Sequence, residues 1–275
     1  METAISFRIN NQPSLGILHN PDNAKDTAVL LVVGGPQYRV GSHRQFVQLS
    51  RFLAENNIAS LRFDCRGMGD AAGEKQTFEH LDDDIKAATD ALLANCPDVK
   101  KVVIWGLCDA ASAALLYAHQ DSRITGLILL NPWLTNEQAM AKSMVKYYYL
   151  QRLLSKDFWR KLVKGNVNVG GSLKDAKGFV ADSMQQSESD SGSYQQRMLT
   201  GAQKFKGQVC MILSGNDLTA REFNEQAQSN KQWKQFVENC QLHHLEKADH
   251  TFSNQDLKLE VERITALFVS GSDVV

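Results

Sequence analysis

The chain has 275 residues, of which 43% are hydrophobic and 22% are charged. This length fits one large α/β domain or two small ones, and the composition supports a sizeable core. The formal net charge of -1 at pH 7 excludes bulk attraction to nucleic acid or to an anionic membrane surface.

Cysteine usage and hydropathy predict a cytoplasmic protein without metal or cofactor. The five cysteines are odd in number and form no C-x-x-C pair, which argues against a disulfide framework or a zinc site. The first ten residues lack the basic and apolar regions of a signal peptide. No stretch approaches the ~20 apolar residues of an integral membrane segment.

Apolar strands alternate with amphipathic helices in the first half of the chain. We predict strands at 27–33, 58–63, 102–105 and 124–130, with helices at 42–55, 82–94 and 110–119. Ser42 and Gln45 have capping-box spacing, so the first helix is predicted to open at Ser42. Such alternation gives a parallel sheet with right-handed crossovers, and active sites on these sheets lie beyond the carboxyl ends of the strands.

The alternation stops between about Asn136 and Lys206, where an amphipathic stretch and polar, Gly- and Ser-rich stretches follow each other. We predict a helical cap or lid at 136–206, inserted into a core formed by 1–135 and 207–275. Beyond it, strands at 209–213 and 242–245, a helix opened by Thr219, and a closing helix complete the pattern. The predicted fold is therefore α/β, with a mostly parallel central sheet flanked by helices.

Three residues form a candidate catalytic set: Cys108, Asp217 and His250. Each follows a predicted strand and precedes a predicted helix. Cys108 lies in "WGLCDAASAALLY", the outline of a nucleophile elbow, where a helix N-terminus favours a thiolate. Asp217 can fix the tautomer of a histidine, and His250 can act as the base. The order nucleophile, acid, histidine is that of α/β hydrolases.

Each of these residues also has a structural interpretation. Cys108 could be a packed thiol, and Asp217 could merely cap a turn. His243 and His244 compete with His250 for the role of the base. They lie within a predicted strand and point to opposite faces of it, whereas His250 lies in the loop that follows.

The chain resembles α/β hydrolases over nearly its full length. The stretches "VVGGPQYRVGSHRQF", "LRFDCRGMGD", "WGLCDAASAALLY" and "ADHTFS" resemble hydrolases associated with the exosortase A system, a bacterial system linked to exopolysaccharide production and protein sorting. The cysteine at the elbow is similar to that of dienelactone hydrolases, which use Cys, His and Asp. The resemblance implies the fold and a hydrolase activity but provides no substrate.

The same resemblance implies an oxyanion hole. Matching residues 33–36 to a His-Gly-Gly-Pro loop makes the main-chain N–H groups of Gly35 and Asp109 the donors. If the loop shifts by two residues, Gln37 replaces Gly35. The elbow ends in Ala110, where glycine is usual, so a methyl group has to fit near the turn.

These features predict a hydrolase that cleaves an ester or thioester through an acyl-enzyme on Cys108. The expected substrate is a small-molecule or carrier-bound acyl compound. Arg39 and His43 would form a cationic rim for an acidic group, or else are solvated side chains of a helical turn. The alternatives are an acyltransferase that uses the same site and a non-catalytic binding protein with a hydrolase fold.

The predicted insert should select the substrate, because both of its ends leave the sheet near the layer that holds Cys108 and Asp217. Tyr148→Ala, Phe158→Ala and Trp159→Ala should therefore change the relative kcat/KM across a panel of acyl esters. Unchanged ratios would count against a substrate-selecting lid. Lost vesicle binding in the same variants would instead favour the alternative that this aromatic, basic stretch contacts a membrane surface.

Overall fold

The computed structural model describes residues 2–35, 37–134 and 193–271. Contacts between Cα atoms divide the chain into a larger unit, residues 1–134 and 197–275, and a smaller one, residues 135–196. Only residues 193–196 of the smaller unit are described. The predicted substrate contacts at Tyr148, Phe158 and Trp159 therefore lie outside the described residues.

An eight-stranded sheet forms the centre of the larger unit, with the order β1-β2-β4-β3-β5-β6-β7-β8. The strands from β3 onward pair in parallel, while β2 is antiparallel to both β1 and β4. This confirms the predicted α/β class with a mostly parallel sheet. The strands are β1 Glu2–Ile9, β2 Gln12–His19, β3 Thr27–Val32, β4 Ser60–Phe63, β5 Lys101–Leu107, β6 Ile124–Leu130, β7 Gln208–Ser214 and β8 Gln241–Leu245.

The hairpin of β1 and β2 was not predicted from the sequence. Its two-residue turn consists of Asn10 and Asn11, which have φ angles of 46° and 65°. Asparagine tolerates this left-handed conformation better than most residues, and a turn with two such residues matches the twist of the flanking strands. The pair of asparagines was the available signal.

Helices connect the strands, and two of them begin at other residues than the capping-box patterns predict. Ser42–Arg44 forms a 3₁₀ turn, and the first α-helix starts only at Gln45, because His43 and Arg44 have positive φ. Asp217, not Thr219, is the N-cap of the helix after β7. The helices are α1 Gln45–Glu55, α2 Asp82–Asn95, α3 Asp109–Tyr117, α4 Tyr194–Lys204, α5 Leu218–Ser229, α6 Lys231–Glu238 and α7 Gln255–Ser270.

The side chains of the central strands alternate between two buried layers. Leu31 and Trp105 belong to one hydrophobic cluster with residues of α1 and α7, and the ring of Phe46 packs edge-on against Trp105. Leu30 and Ile104 are just as buried and point to the opposite face, because strand side chains alternate. There α2 contacts β3 and α3 contacts β5. The sheet is thus covered on both faces, as parallel sheets generally are.

A buried carboxylate organises the loops at the carboxyl edge of the sheet. Asp64, directly after β4, is fully buried and accepts hydrogen bonds from the main-chain N–H groups of Arg39, at 2.7 Å, and Asp70, at 3.0 Å. The Arg39 guanidinium forms ion pairs with both Asp64 and Asp70. This one side chain therefore joins the loop after β3 to the loop after β4.

Replacing Asp64 should destabilise the fold far more than replacing Asp70, the exposed carboxylate that also pairs with Arg39. Asp64→Ala leaves the Arg39 guanidinium, which is only 15% exposed, without its buried counter-ion, so we expect a loss of about 3–5 kcal/mol in the free energy of unfolding. Asp70→Ala removes a carboxylate that is 64% exposed and should cost below about 1 kcal/mol. Urea unfolding measures both; equal losses would contradict this role of Asp64.

Candidate active site

Cys108 lies at the sharp turn between β5 and α3, with φ 61° and ψ -121°. A non-glycine residue rarely adopts this conformation, and holding it costs about 1–3 kcal/mol. The turn is tight because Gly106 packs against the helix: a Cβ at Gly106 would come within 2.7 Å of the Ala110 main chain. Ala110 is fully buried, so its methyl group fits where glycine is usual. The geometry is that of a nucleophile elbow.

The predicted acid and base are hydrogen bonded to each other. The Nδ1 atom of His250 lies 2.9 Å from Oδ2 of Asp217. Asp217 also caps α5, since its carboxylate accepts from the N–H groups of Thr219 and Ala220. The two interpretations of Asp217 are therefore compatible: the bonds that cap the helix also hold the carboxylate against the histidine.

Cys108 is the second group that acts on the same histidine. Hydrogen bonds to Asp217 and to Cys108 raise the pKa of His250 to about 10, against an opposing effect of desolvation. A carboxylate on one side and a sulfur on the other thus favour the protonated ring. An imidazolium in this position can stabilise a thiolate, which is the nucleophilic form of cysteine.

In the loop after β3, the N–H groups of the two candidate oxyanion donors are already hydrogen bonded. The N–H of Gly35 donates to Oδ2 of Asp109 at 2.7 Å, and the N–H of Gln37 donates to the Gly34 carbonyl at 3.4 Å. Oδ1 of Asp109 accepts from the N–H of Ala110 at 3.0 Å. Burial raises the pKa of Asp109, opposed by hydrogen bonds from the N–H groups of Gly35, Ala110 and Asp109 itself. Sequence reasoning assigned a role to the main chain of Asp109 and missed its side chain.

A cavity of about 420 Å³ lies beside this loop, and its lining includes Gly34, Gly35, Met68, Lys75 and Asp109. A larger cavity of about 630 Å³ lies at the opposite edge of the sheet, next to the first residues of β7 and β8. The described lining of either cavity includes none of the three candidate catalytic residues. The smaller cavity is the one of these two that contacts the candidate oxyanion donors, because Gly35 and Asp109 line it.

The two cationic residues of the predicted rim differ in their surroundings. Arg39 is neutralised by its ion pairs with Asp64 and Asp70, so its charge already has partners in the protein. His43 lies near Asp249, the residue before His250: burial alone would raise the pKa of Asp249, but hydrogen bonds from Ser253 and Thr251 and the proximity of His43 lower it. A substrate contact by either residue stays a prediction.

The other four cysteines have environments that oppose ionisation. Burial raises the pKa of Cys65 and Cys96, and it raises the pKa of Cys210 and of Cys240 to about 12. Cys65 lies close to the oxyanion loop, yet its thiol is fully buried and donates to the Val33 carbonyl. All five cysteines are free. Cys108, by contrast, raises the pKa of His250, the candidate base.

Asn131 is a further residue of the site that the sequence analysis missed. It follows β6 directly, is fully buried and has a φ of 44°. Its Nδ2 donates to Oγ of Ser214 at 2.8 Å and to the His250 carbonyl at 3.3 Å, while Ser214 Oγ donates to the Asp249 carbonyl at 3.0 Å. An amide side chain at the carboxyl end of a buried strand, on the edge expected to hold the site, was the available signal.

The architecture and this site define the class of protein. A mostly parallel sheet, an elbow after β5, an acid after β7 and a histidine after β8 are the features of an α/β hydrolase. The chain belongs to the α/β-hydrolase family described as serine aminopeptidase, S33, whose model matches residues 25–252. The description names serine, whereas this chain has Cys108 at the elbow.

Solved structures with the same fold are distant in sequence. The esterase Pf2001 of Pyrococcus furiosus is 17% identical, with a TM-score of 0.69, covering 98% of this chain and 92% of that one. The α/β hydrolase GrgF from Penicillium sp. sh18 is 15% identical, with a TM-score of 0.61 and coverage of 99% and 100%. A comparison with curated proteins gave no match. At these identities the likeness shows the fold alone.

No helix within residues 2–35, 37–134 and 193–271 is long and apolar enough to cross a membrane. No group of three or more His, Cys, Asp or Glu side chains there could hold a metal ion.

Removing the charge of Asp217 should lower the pKa of His250 from about 10 toward the ordinary value of 6.5. Asp217→Asn removes the charge and keeps the fold, because an asparagine oxygen can still cap α5. NMR titration of the His250 ring protons measures the change. Asp249→Asn, which alters the neighbouring carboxylate, is the control and should leave the pKa near 10. Equal values in wild type and Asp217→Asn would contradict this electrostatic role.

The same shift should make stability depend on pH. Because the pKa of His250 is higher in the folded state than its ordinary value, the stabilisation is complete below about pH 6.5 and is lost as pH rises toward about 10. The difference in the free energy of unfolding between wild type and Asp217→Asn should therefore shrink across this window. Urea unfolding at a series of pH values measures it, and a difference that grows with pH would contradict the assignment.

Proposed function

We propose that this protein is a cysteine hydrolase that cleaves an ester or thioester through an acyl-enzyme intermediate on Cys108. The observation that carries the proposal is the hydrogen bond between His250 and Asp217, together with Cys108 at the elbow, which helps to raise the pKa of the same histidine. A strained elbow, a base and an orienting carboxylate have little reason to coincide in a purely structural role.

In the first half-reaction, the Cys108 thiol gives its proton to His250, the sulfur attacks the acyl carbon, and a C–S bond forms. The carbonyl oxygen takes up the electron pair and becomes an oxyanion, which main-chain N–H groups stabilise. The main-chain N–H of Asp109 and that of Gly35 are the proposed donors, with Gln37 as the alternative to Gly35. The tetrahedral intermediate then collapses, the bond to the alcohol or thiol breaks, and the leaving group receives a proton from His250.

In the second half-reaction, His250 takes a proton from water, and the water oxygen attacks the acyl carbon. The C–S bond breaks, the sulfur of Cys108 regains its proton from His250, and the free acid departs. Asp217 holds the ring by its Nδ1 atom in both halves. Acyl transfer to another acceptor uses the same first half, with an alcohol, thiol or amine in place of water.

A thiol nucleophile suits thioesters in particular. Attack on a thioester exchanges one sulfur for another, so the leaving thiol and the attacking thiol are chemically matched. A carrier-bound acyl group is such a substrate. The motif resemblance to hydrolases of the exosortase A system supports a role beside bacterial exopolysaccharide production. Five free cysteines support a reducing cytoplasmic compartment for the enzyme.

One observation favours the alternative of a non-catalytic protein with a hydrolase fold. The N–H of Gly35, a proposed oxyanion donor, is already bonded to Asp109. The bond between His250 and Asp217 favours catalysis, since a binding protein would have no use for an oriented base. A direct test of covalent chemistry at Cys108 separates the two functions.

We expect iodoacetamide to modify Cys108 faster than the other four cysteines near neutral pH, because burial raises the pKa of those four thiols. Mass spectrometry after short exposure to the reagent identifies the site. In the same assay, a p-nitrophenyl ester should leave an acyl group on Cys108, and Cys108→Ala should abolish it.

Cys240→Ala is the matched control, because Cys240 is the other partly exposed cysteine. It should leave acylation unchanged, and Cys108→Ser should retain part of the activity. If iodoacetamide does not modify Cys108 and labels another cysteine instead, the thiolate mechanism is wrong.

A further inference from the structure

The carboxylate of Asp109 occupies the place where this class of enzyme binds an oxyanion. Its Oδ2 atom lies 2.7 Å from the main-chain nitrogen of Gly35, a residue 74 positions away in sequence. The other carboxylate oxygen, Oδ1, accepts from the N–H of Ala110 at 3.0 Å. A charged oxygen that accepts from the Gly35 donor imitates the oxygen of a tetrahedral intermediate.

Helix capping alone does not account for this arrangement. An acid in the first turn of a helix complements the helix dipole, and the bond from the Ala110 N–H to Oδ1 is of that kind. The bond to Gly35 is different, because it reaches across to the loop after β3. A solvated acid in the first turn of a helix, such as Asp256 in α7, can complement the helix dipole without a hydrogen bond to a second loop.

The loop is shaped to receive the carboxylate. A Cβ atom at Gly34 would come within 2.0 Å of Oδ1 of Asp109 and within 2.8 Å of the Ala110 nitrogen. Any side chain at position 34 would therefore collide with the carboxylate or the helix start. The absence of a side chain there leaves the space that Asp109 fills.

We propose that the Asp109 side chain is an internal occupant of the oxyanion hole, which has to leave before the acyl oxygen of a substrate can bind. Asp109 thereby limits the rate at which Cys108 is acylated. This inference rests on the proposed function for its kinetic part, while the occupancy is a statement about the resting protein. The proposal also explains how the Gly35 N–H can be hydrogen bonded to Asp109 in the resting protein and still serve the catalytic residues during the reaction.

The cavity beside the loop gives the carboxylate a place to go. Asp109 and Lys75 line the same cavity of about 420 Å³, and the charge of Lys75 acts on Asp109. Lys75 is exposed and can follow the carboxylate as it turns away from Gly35. A neutral carbonyl oxygen can then replace a charged one at the donors, while the displaced charge meets an ammonium group.

The kinetic test is the rate of acylation of Cys108 by p-nitrophenyl acetate, followed as the burst of p-nitrophenol. Asp109→Ala empties the donors and should raise the second-order rate constant about tenfold or more, because a hydrogen bond to a charged group no longer competes. Asp109→Asn keeps a neutral acceptor and should give a smaller increase. Asp256→Ala removes an exposed acid from the first turn of α7 and should change nothing. An unchanged or lower rate in Asp109→Ala would overturn the proposal.

Alkylation by iodoacetamide does not use an oxyanion hole, so its rate at Cys108 reports whether a variant keeps an intact elbow. Equal alkylation in wild type and Asp109→Ala, together with faster acylation, supports the proposal. If Asp109→Ala loses alkylation or fails to fold, Asp109→Asn decides: an increase supports the occupancy, and no increase overturns it.

A second measurement tests the occupancy without any enzyme activity. In wild type, the chemical shift of the Gly35 amide proton should follow the titration of the Asp109 carboxyl group, and this response should vanish in Asp109→Asn. Lys75 and Cys65 face the same carboxylate, and His250 lies beside the elbow. The pKa values of Cys65 and His250 are raised, so neither titrates in the acid range where a carboxyl group does. A Gly35 amide shift that does not change with pH would overturn the proposal.

If Cys108 is acylated neither in wild type nor in any of the variants, the hydrolase function is refuted instead. The amide titration would still decide whether Asp109 occupies the oxyanion hole.

Discussion

The site depends on one backbone constraint: Cys108 is held with a positive φ between a buried strand and a helix. The strain is tolerated because both neighbours are fixed. β5 is paired with β3 on one side and β6 on the other, and α3 packs back onto β5. The close approach of Gly106 to Ala110 sets the sharpness of the turn. The side chain of residue 108 is thereby lifted out of the core toward the carboxyl edge of the sheet.

The rest of the site consists of loops tied to that edge by buried polar side chains. Asp64 joins the loops after β3 and β4 through Arg39 and Asp70. Asn131 joins the end of β6 to Ser214 and to the loop of His250. Buried polar groups of this kind are costly unless they are fully paired, and paired they fix one geometry. The loops therefore take their positions from the sheet.

The regular part of the fold could be predicted from the sequence because its strands are continuous apolar runs, such as "TAVLLV" in β3. The capping boxes failed for a local reason. Ser42 has the right spacing, but His43 and Arg44 adopt left-handed backbone angles that no spacing rule reveals. Asp217 is a better cap than Thr219, and its second bond to His250 depends on a residue 33 positions away.

The candidate site was predictable at the level of residue order and not at the level of side-chain direction. The order of Cys108, Asp217 and His250 follows from strands that end at a common edge. That the Asp109 carboxylate turns toward Gly35 depends on packing between α3 and the loop after β3. Likewise, the sequence shows Arg39 without an evident partner, and its ion pairs with Asp64 and Asp70 become visible only in the fold.

The hydrogen bonds of Asn131 have a consequence for how the protein folds. They join β6 to residues 83 and 119 positions further along the chain, Ser214 and His250. Such contacts form late, because the entropy of closing a long loop has to be overcome first. During synthesis from the N-terminus, the elbow at Cys108 can take shape while the residues of β7 and β8 are still missing. The thiol would then have neither His250 nor Asp217 beside it, and its environment becomes complete only when the last two strands join the sheet.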